Sequence, residues 1–142
     1  MFPPDELLFL IPERSLTDLG EGGFARRIAV VVLDESPARD DRDFLTKILA
    51  SAQIDLAKDT LLASVPPGEP IGLNSILKEK QAEQILVFGI PPAQLGLTIE
   101  VRPYQPIFFY GATWLFGDAL SALEPDKTKK GLLWTALKSM FL

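Results

Sequence analysis

The residue types available for chemistry in this chain are few. It contains neither His nor Cys, which removes imidazole bases, thiolate nucleophiles, disulfides and the Cys- or His-rich sets that hold zinc and iron–sulfur clusters. What remains is a concentration of carboxylates at Asp34, Glu35, Asp40, Asp41 and Asp43. Glu35 follows closely on an apolar run. A carboxylate at a strand end could act as a general base if apolar neighbours desolvate it and so raise its pKa. The same acids also crowd the start of a helical pattern, where capping and the helix dipole favour negative charge without any catalytic role. Metal binding is a third use, but capping accounts for these acids most simply. No metal or cofactor is expected.

A second set is cationic and aromatic. Arg102, Tyr104, Lys127, Lys129 and Lys130 could contact nucleic acid, with Trp114 and Phe116 as stacking groups. A solvated helix face explains the lysines equally well, and core packing explains the aromatics. The net charge of -5 and a pI near 4.7 argue against a broad duplex-binding surface, which requires clustered Lys and Arg. Gly20-Glu21-Gly22-Gly23 lacks the Lys-Ser/Thr ending of a phosphate-binding loop and precedes a strand, so it reads as a turn. Gln94-Leu95-Gly96-Leu97 resembles the start of a clamp-binding peptide but lacks the aromatic residue that fills the pocket.

The elements that must position these groups follow from length and periodicity. With 142 residues, 47% of them apolar, the chain can build one sizeable core, and a single domain over residues 1–142 is expected. Residues 1–23 are expected to form an amino-terminal docked segment and loop. The apolar residues Leu7, Leu8, Phe9, Leu10 and Ile11 are too few and wrongly flanked for a signal peptide or a membrane span. They could cover the sheet or serve as a partner-binding segment. A soluble, cytoplasmic protein without membrane contact is the resulting expectation.

Further along, residues 27–33 and 60–65 read as buried strands and residues 44–52 as an amphipathic helix carrying Phe44, Leu45, Ile48, Leu49 and Ala52 on one face. Residues 53–59 read as a connection, and a helix is predicted from about Asn74 to Ala82. Ile85-Leu86-Val87-Phe88 is a central strand that stops at Gly89. A short helix follows over residues 91–97, and the alternation of residues 97–102 predicts a strand solvated on one face. Residues 107–116 form the most aromatic stretch, and Pro125 separates a short helix from a long one. This alternation of strands and helices predicts a three-layer α/β/α sandwich with a mainly parallel central sheet. Ligands of such sheets sit beyond the carboxyl ends of the strands, here around Gly89.

The order of these pieces resembles the uracil-DNA glycosylase superfamily, and within it the catalytically silent psi subunit of bacterial DNA polymerase III. Residues 30–38 look like the first block, with Asp34-Glu35-Ser36-Pro37-Ala38 in place of a Gly-Glu-x-Pro-Gly loop. Phe44-Leu45-Thr46-Lys47-Ile48-Leu49 is similar to the helix after it, and residues 61–68 to the second strand and its Pro-Pro-Gly exit. Ile85-Leu86-Val87-Phe88-Gly89 looks like the strand ending in Leu-Gly, and residues 118–138 resemble the closing segment. The likeness spans roughly residues 28–140 as a pattern of modest motifs.

The departures concern catalysis. The His-Pro loop of the family, expected around residues 115–118, holds no His, the Asn of the second strand is Ser64, and the cluster-ligating cysteines are missing. Glycines that let backbone approach a flipped base are Asp34 and Ala38 here. The resemblance therefore implies a non-catalytic scaffold with a vestigial site at Glu35, Pro37, Ser64 and Gly89. Its partners would be other proteins, such as clamp-loader or other replication components. The alternatives are a single-stranded nucleic-acid-binding module without catalysis, and a residual glycosylase-type hydrolase using Glu35.

Overall fold

A computed structural model of the chain describes residues 14–15, 20–33, 42–65, 71–72, 81–95, 97 and 100–141. Along the chain these form β1 (Arg14–Ser15), β2 (Gly20–Glu21), β3 (Ile28–Leu33), α1 (Arg42–Ala50), α2 (Leu56–Asp59) and β4 (Thr60–Val65). They continue with β5 (Ile71–Gly72), β6 (Gln84–Phe88), a 3-10 turn (Pro92–Leu95), β7 (Ile107–Phe109), β8 (Ala112–Gly117), α3 (Leu120–Leu123) and α4 (Lys127–Phe141).

The three most apolar runs become the middle of the sheet, because only a strand covered on both faces can bury neighbouring side chains that point opposite ways. β3 pairs in parallel with β4 on one side and β6 on the other, Val30 lying opposite both Leu62 and Leu86. β8 extends the parallel set beyond β6, with Leu86 opposite Leu115. The full sheet has six strands in the order β2-β4-β3-β6-β8-β7, with antiparallel strands at both edges. β1 and β5 pair in parallel as a separate two-stranded piece.

Side chains alternate between two apolar layers. Ala29, Val31, Ile85, Val87, Trp114 and Phe116 point to one face, where Ile90, Leu95 and Leu97 cover them. Ile28, Val30, Val32, Leu86, Phe88 and Leu115 point to the other, under α1, α3 and α4 through Leu45, Leu49, Leu120, Leu123, Leu133 and Leu137. The protein is thus an α/β fold with a mostly parallel mixed sheet and helices packed against it.

Several local expectations need correction. Residues 53–59 are more than a connection, since Asp55 caps α2 by accepting hydrogen bonds from the backbone N–H groups of Ala57 (2.9 Å) and Lys58 (3.1 Å). Part of the glycine-rich turn is β2, and the loop after it docks onto α2. There the N–H groups of Gly23 and Ala25 donate to the carbonyls of Ala57 and Lys58, satisfying helix-end acceptors that α2 itself leaves open. Gly22 sits at φ +130 against the Thr60 carbonyl, where only glycine fits. Of the helix expected over residues 74–82, residues 74–80 lie outside the described set, and Gln81 and Ala82 are not helical. The strand expected over residues 97–102 does not form at Leu97 or at residues 100–102. The fourth parallel strand is β8, inside the aromatic stretch.

Because two backbone donors converge on one exposed carboxylate, Asp55→Ala is expected to destabilise the fold by about 1 kcal/mol. The urea midpoint should fall while the slope of the transition stays constant.

Candidate functional site

The parallel strands run in the order second, first, third, fourth, so the chain reverses direction across the sheet between β3 and β6. In doubly wound sheets that switch point, at the carboxyl ends of the strands, is where ligands bind. The residues following β3, which include Glu35 and Pro37, lie outside the described set, as do Leu7, Leu8, Phe9 and Leu10. Ser64 lies exposed near the end of β4, opposite Val32.

At the end of β6 the geometry is well defined. Gly89 adopts φ +81, and its N–H donates to the Gly117 carbonyl at 2.9 Å. A Cβ at this position would lie 2.8 Å from both Cα and Cβ of Ala119. The backbone entering α3 therefore fills the space directly beyond β6.

Beside it, the end of β8 is clamped. Tyr104, at φ +63, donates its N–H to the Phe116 carbonyl at 2.8 Å and lays its ring against Gly117. Its hydroxyl donates to Asp118 Oδ2 at 2.7 Å and accepts from the Asp118 N–H at 3.2 Å. Lys129 Nζ reaches the same Asp118 oxygen at 3.4 Å. Lys129 is placed by the start of α4, where Asp126 Oδ1 accepts from its backbone N–H at 3.0 Å. Lys127 is exposed and Lys130 half-buried on the same turn, whereas Arg102 is exposed and lines a separate groove with Glu100.

Of the residues proposed for nucleic-acid contact, the fold thus joins Tyr104 and Lys129, through a third residue, Asp118. In the sequence Asp118 stands out only as the first residue of the segment, residues 118–138, that resembles the family's closing segment. Its position directly after the strand-terminal Gly117 is the signal that could have identified it. Trp114 and Phe116 are 0% and 5% exposed, so neither can stack on a nucleobase, and both belong to the core.

The electrostatics shift the two acidic groups of this cluster, Tyr104 and Asp118, in opposite directions. Burial, reinforced by the hydrogen bond to Asp118, pushes the Tyr104 phenol up to about 12. The Tyr104 hydrogen bond, aided by Lys129 and opposed by burial, holds the Asp118 carboxyl below its ordinary value. Both shifts lead away from neutrality, opposite to the tuning of a general acid or base. Among the described residues no group of three or more metal-ligating side chains converges, and no helix is long and apolar enough to cross a membrane.

The two shifts have opposite pH signatures. A raised phenol pKa stabilises the fold below pH 10, the unfolded value, and that contribution is lost as pH rises toward about 12. A depressed carboxyl pKa stabilises above the unfolded value of 3.8, and the contribution is lost as pH falls through the folded one. Tyr104→Phe should abolish the first and reduce the second, with a loss near neutrality of roughly 0.5–1 kcal/mol because Asp118 is partly solvated. The chain has two tyrosines, so tyrosinate absorbance in a Tyr110→Phe background isolates the Tyr104 titration.

No protein-family model matches the chain, and no curated protein sequence matches it.

Proposed function

We propose that this chain is a non-catalytic, protein-binding accessory factor of DNA replication or repair. On this reading it is built on a three-layer, uracil-DNA glycosylase-like scaffold and acts in the manner of the polymerase III psi subunit. The observation that carries the proposal is the filled carboxyl end of β6, where Ala119 abuts Gly89. An enzyme that acts on an extruded base needs a pocket for it, and here backbone occupies that side of the switch point. The Tyr104–Asp118 pair supports the same reading, since each partner locks the other's protonation state. The doubly wound strand order and the apolar cover on both faces of the sheet support the three-layer part of it.

Two measurements test the proposal. The full chain, incubated with single- and double-stranded DNA containing uracil or abasic sites, should release no base and cut no strand. Turnover that Glu35→Gln abolishes would overturn the non-catalytic assignment. Affinity capture from the native host should recover a replication or repair protein that binds the purified chain directly. Recovery of none would overturn the assigned partner class.

A further inference from the structure

The outer edge of the sheet carries exposed apolar residues that the reading above does not use. β7 and β8 are joined by the two-residue turn Tyr110–Gly111, with φ of +51 and +74. Two positive φ values in a two-residue hairpin define a type I′ turn, for which Asn, Asp and Gly are preferred. A tyrosine in the first position is unfavourable for the backbone, yet its side chain is 70% exposed. Two residues earlier, Phe108 is 72% exposed in the middle of β7.

The pairing register fixes where the backbone of Phe108 points. Phe108 lies opposite Thr113, whose N–H donates across to the Glu83 carbonyl at 2.9 Å, on the β6 side. Residues of an antiparallel pair alternate between bonding each other and facing outward. Phe108 therefore directs its N–H and C=O away from β8, to the edge where no described strand pairs with β7. Pro106 occupies the preceding outward position and has no N–H to give.

A groove of about 230 Å³ lies on the amino-terminal side of Phe108, lined by Glu100, Arg102, Gln105, Pro106 and Ile107. Ile107 lies opposite Trp114, so it belongs to the Trp114 face of the sheet. Tyr110 meets the Phe109 ring edge-on at 5.3 Å, and Phe109 packs on that same face. Each molecule thus presents a projecting ring two residues after Phe108 and a groove beginning two residues before it.

We propose that two copies of this chain pair through β7, antiparallel about a two-fold axis at Phe108, joining their sheets edge to edge. The axis stands perpendicular to the sheet and preserves its faces, so each Tyr110 reaches the groove of the other copy, beside Pro106. The two Phe108 residues exchange N–H···O=C bonds and place their rings side by side on the opposite face. An isologous contact of this kind closes on itself, and Pro106 confines pairing to this register, which blocks open-ended growth along the edge.

The strand is short, so the dimer is weak, with dissociation in the micromolar range or above. Sedimentation equilibrium of the full chain from micromolar to submillimolar concentration should show a reversible dimer. Phe108→Lys and Tyr110→Asn should each weaken it by about tenfold or more. Asn suits a positive-φ turn, so Tyr110→Asn should keep or raise the melting temperature of the monomer, which separates loss of pairing from loss of fold. Amide exchange at Phe108 should slow as the dimer fills. A wild-type chain that stays monomeric throughout, a dimer indifferent to both substitutions, or unchanged exchange at Phe108 would each overturn the proposal.

Discussion

Trp114→Ala is expected to destabilise the protein by about 4 kcal/mol, the scale for truncating a fully buried aromatic residue. Trp114 has no exposed surface and stands in β8 between β6 and β7. Its ring stacks on Phe109 at 4.6 Å and 8°, and runs parallel to Phe116 at 6.0 Å. Its indole N–H donates to the Phe109 carbonyl at 3.0 Å, so the one polar atom of the ring is satisfied inside the core. Truncation removes the ring, the hydrogen bond and the support that holds the edge hairpin flat against the sheet. A loss of that size is a large share of the stability of an ordinary domain, and the melting temperature should fall by on the order of 10 °C. The second tryptophan gives the control. Trp134 is 39% exposed and its ring carries Lys138 Nζ at 4.3 Å, an exposed cation–π contact worth about 0.5–1 kcal/mol. Trp134→Ala should cost clearly less than Trp114→Ala, because much of its ring already faces solvent. Chemical denaturation of both variants checks the contrast, and equal losses would remove Trp114 from the centre of the core.

The same comparison shows what hydrophobic pattern can reveal. β3, β4 and β6 were legible because uninterrupted β-branched and apolar runs have one stable use, the middle of a covered sheet. The amphipathic face of α1 was legible for a related reason, since Leu45 and Leu49 recur at helical spacing and both are buried, as is Ala52 just beyond the helix end. Pattern failed where two periods compete. Residues 97–102 alternate like a strand, but Tyr104 takes a positive φ to bring its hydroxyl to Asp118, and the strand forms later. In residues 107–116 a stretch rich in aromatic residues conceals a reversal of direction. Its turn, Tyr110–Gly111, has only the glycine to announce it, because a tyrosine stands where turn-forming residues are expected.

Site legibility followed the same division. The strand-end position of Gly89 was readable, and its place beside the switch point is the one that order and period imply. The partner that fills the space beyond it was not readable, because contact between Gly89 and Ala119 depends on how β6 and the entry to α3 lie side by side. Tyr104 and Lys129 were picked out as members of a basic and aromatic set. Their convergence on Asp118 arises from three separate segments, the approach to β7, the end of β8 and the first turn of α4, and no local spacing encodes it.

Gly89→Ala should destabilise the protein by roughly 3 kcal/mol, summing about 1–2 for an L-residue held at positive φ and about 1–3 for the crowding a new methyl creates. The φ of +81 supplies the first part, and the contacts at 2.8 Å from Ala119 Cα and Cβ supply the second. Ala119 offers a way to separate them. It is the N-cap residue of α3 and makes no side-chain capping bond, so Ala119→Gly alone should be close to neutral or slightly favourable. Combined with Gly89→Ala, it removes the clash with Cβ but leaves that with Cα and the backbone strain, so part of the loss, and only part, should return. A double-mutant cycle by urea denaturation reads that coupling directly. If Gly89 is a packing contact and not a remnant of a working pocket, the folded fraction of Gly89→Ala should bind any protein partner recovered in the capture experiment proposed above as tightly as the wild-type chain does. Full recovery in the double mutant would show that backbone strain at Gly89 is negligible, and a loss of partner affinity beyond the loss of folded protein would return the end of β6 to the binding surface.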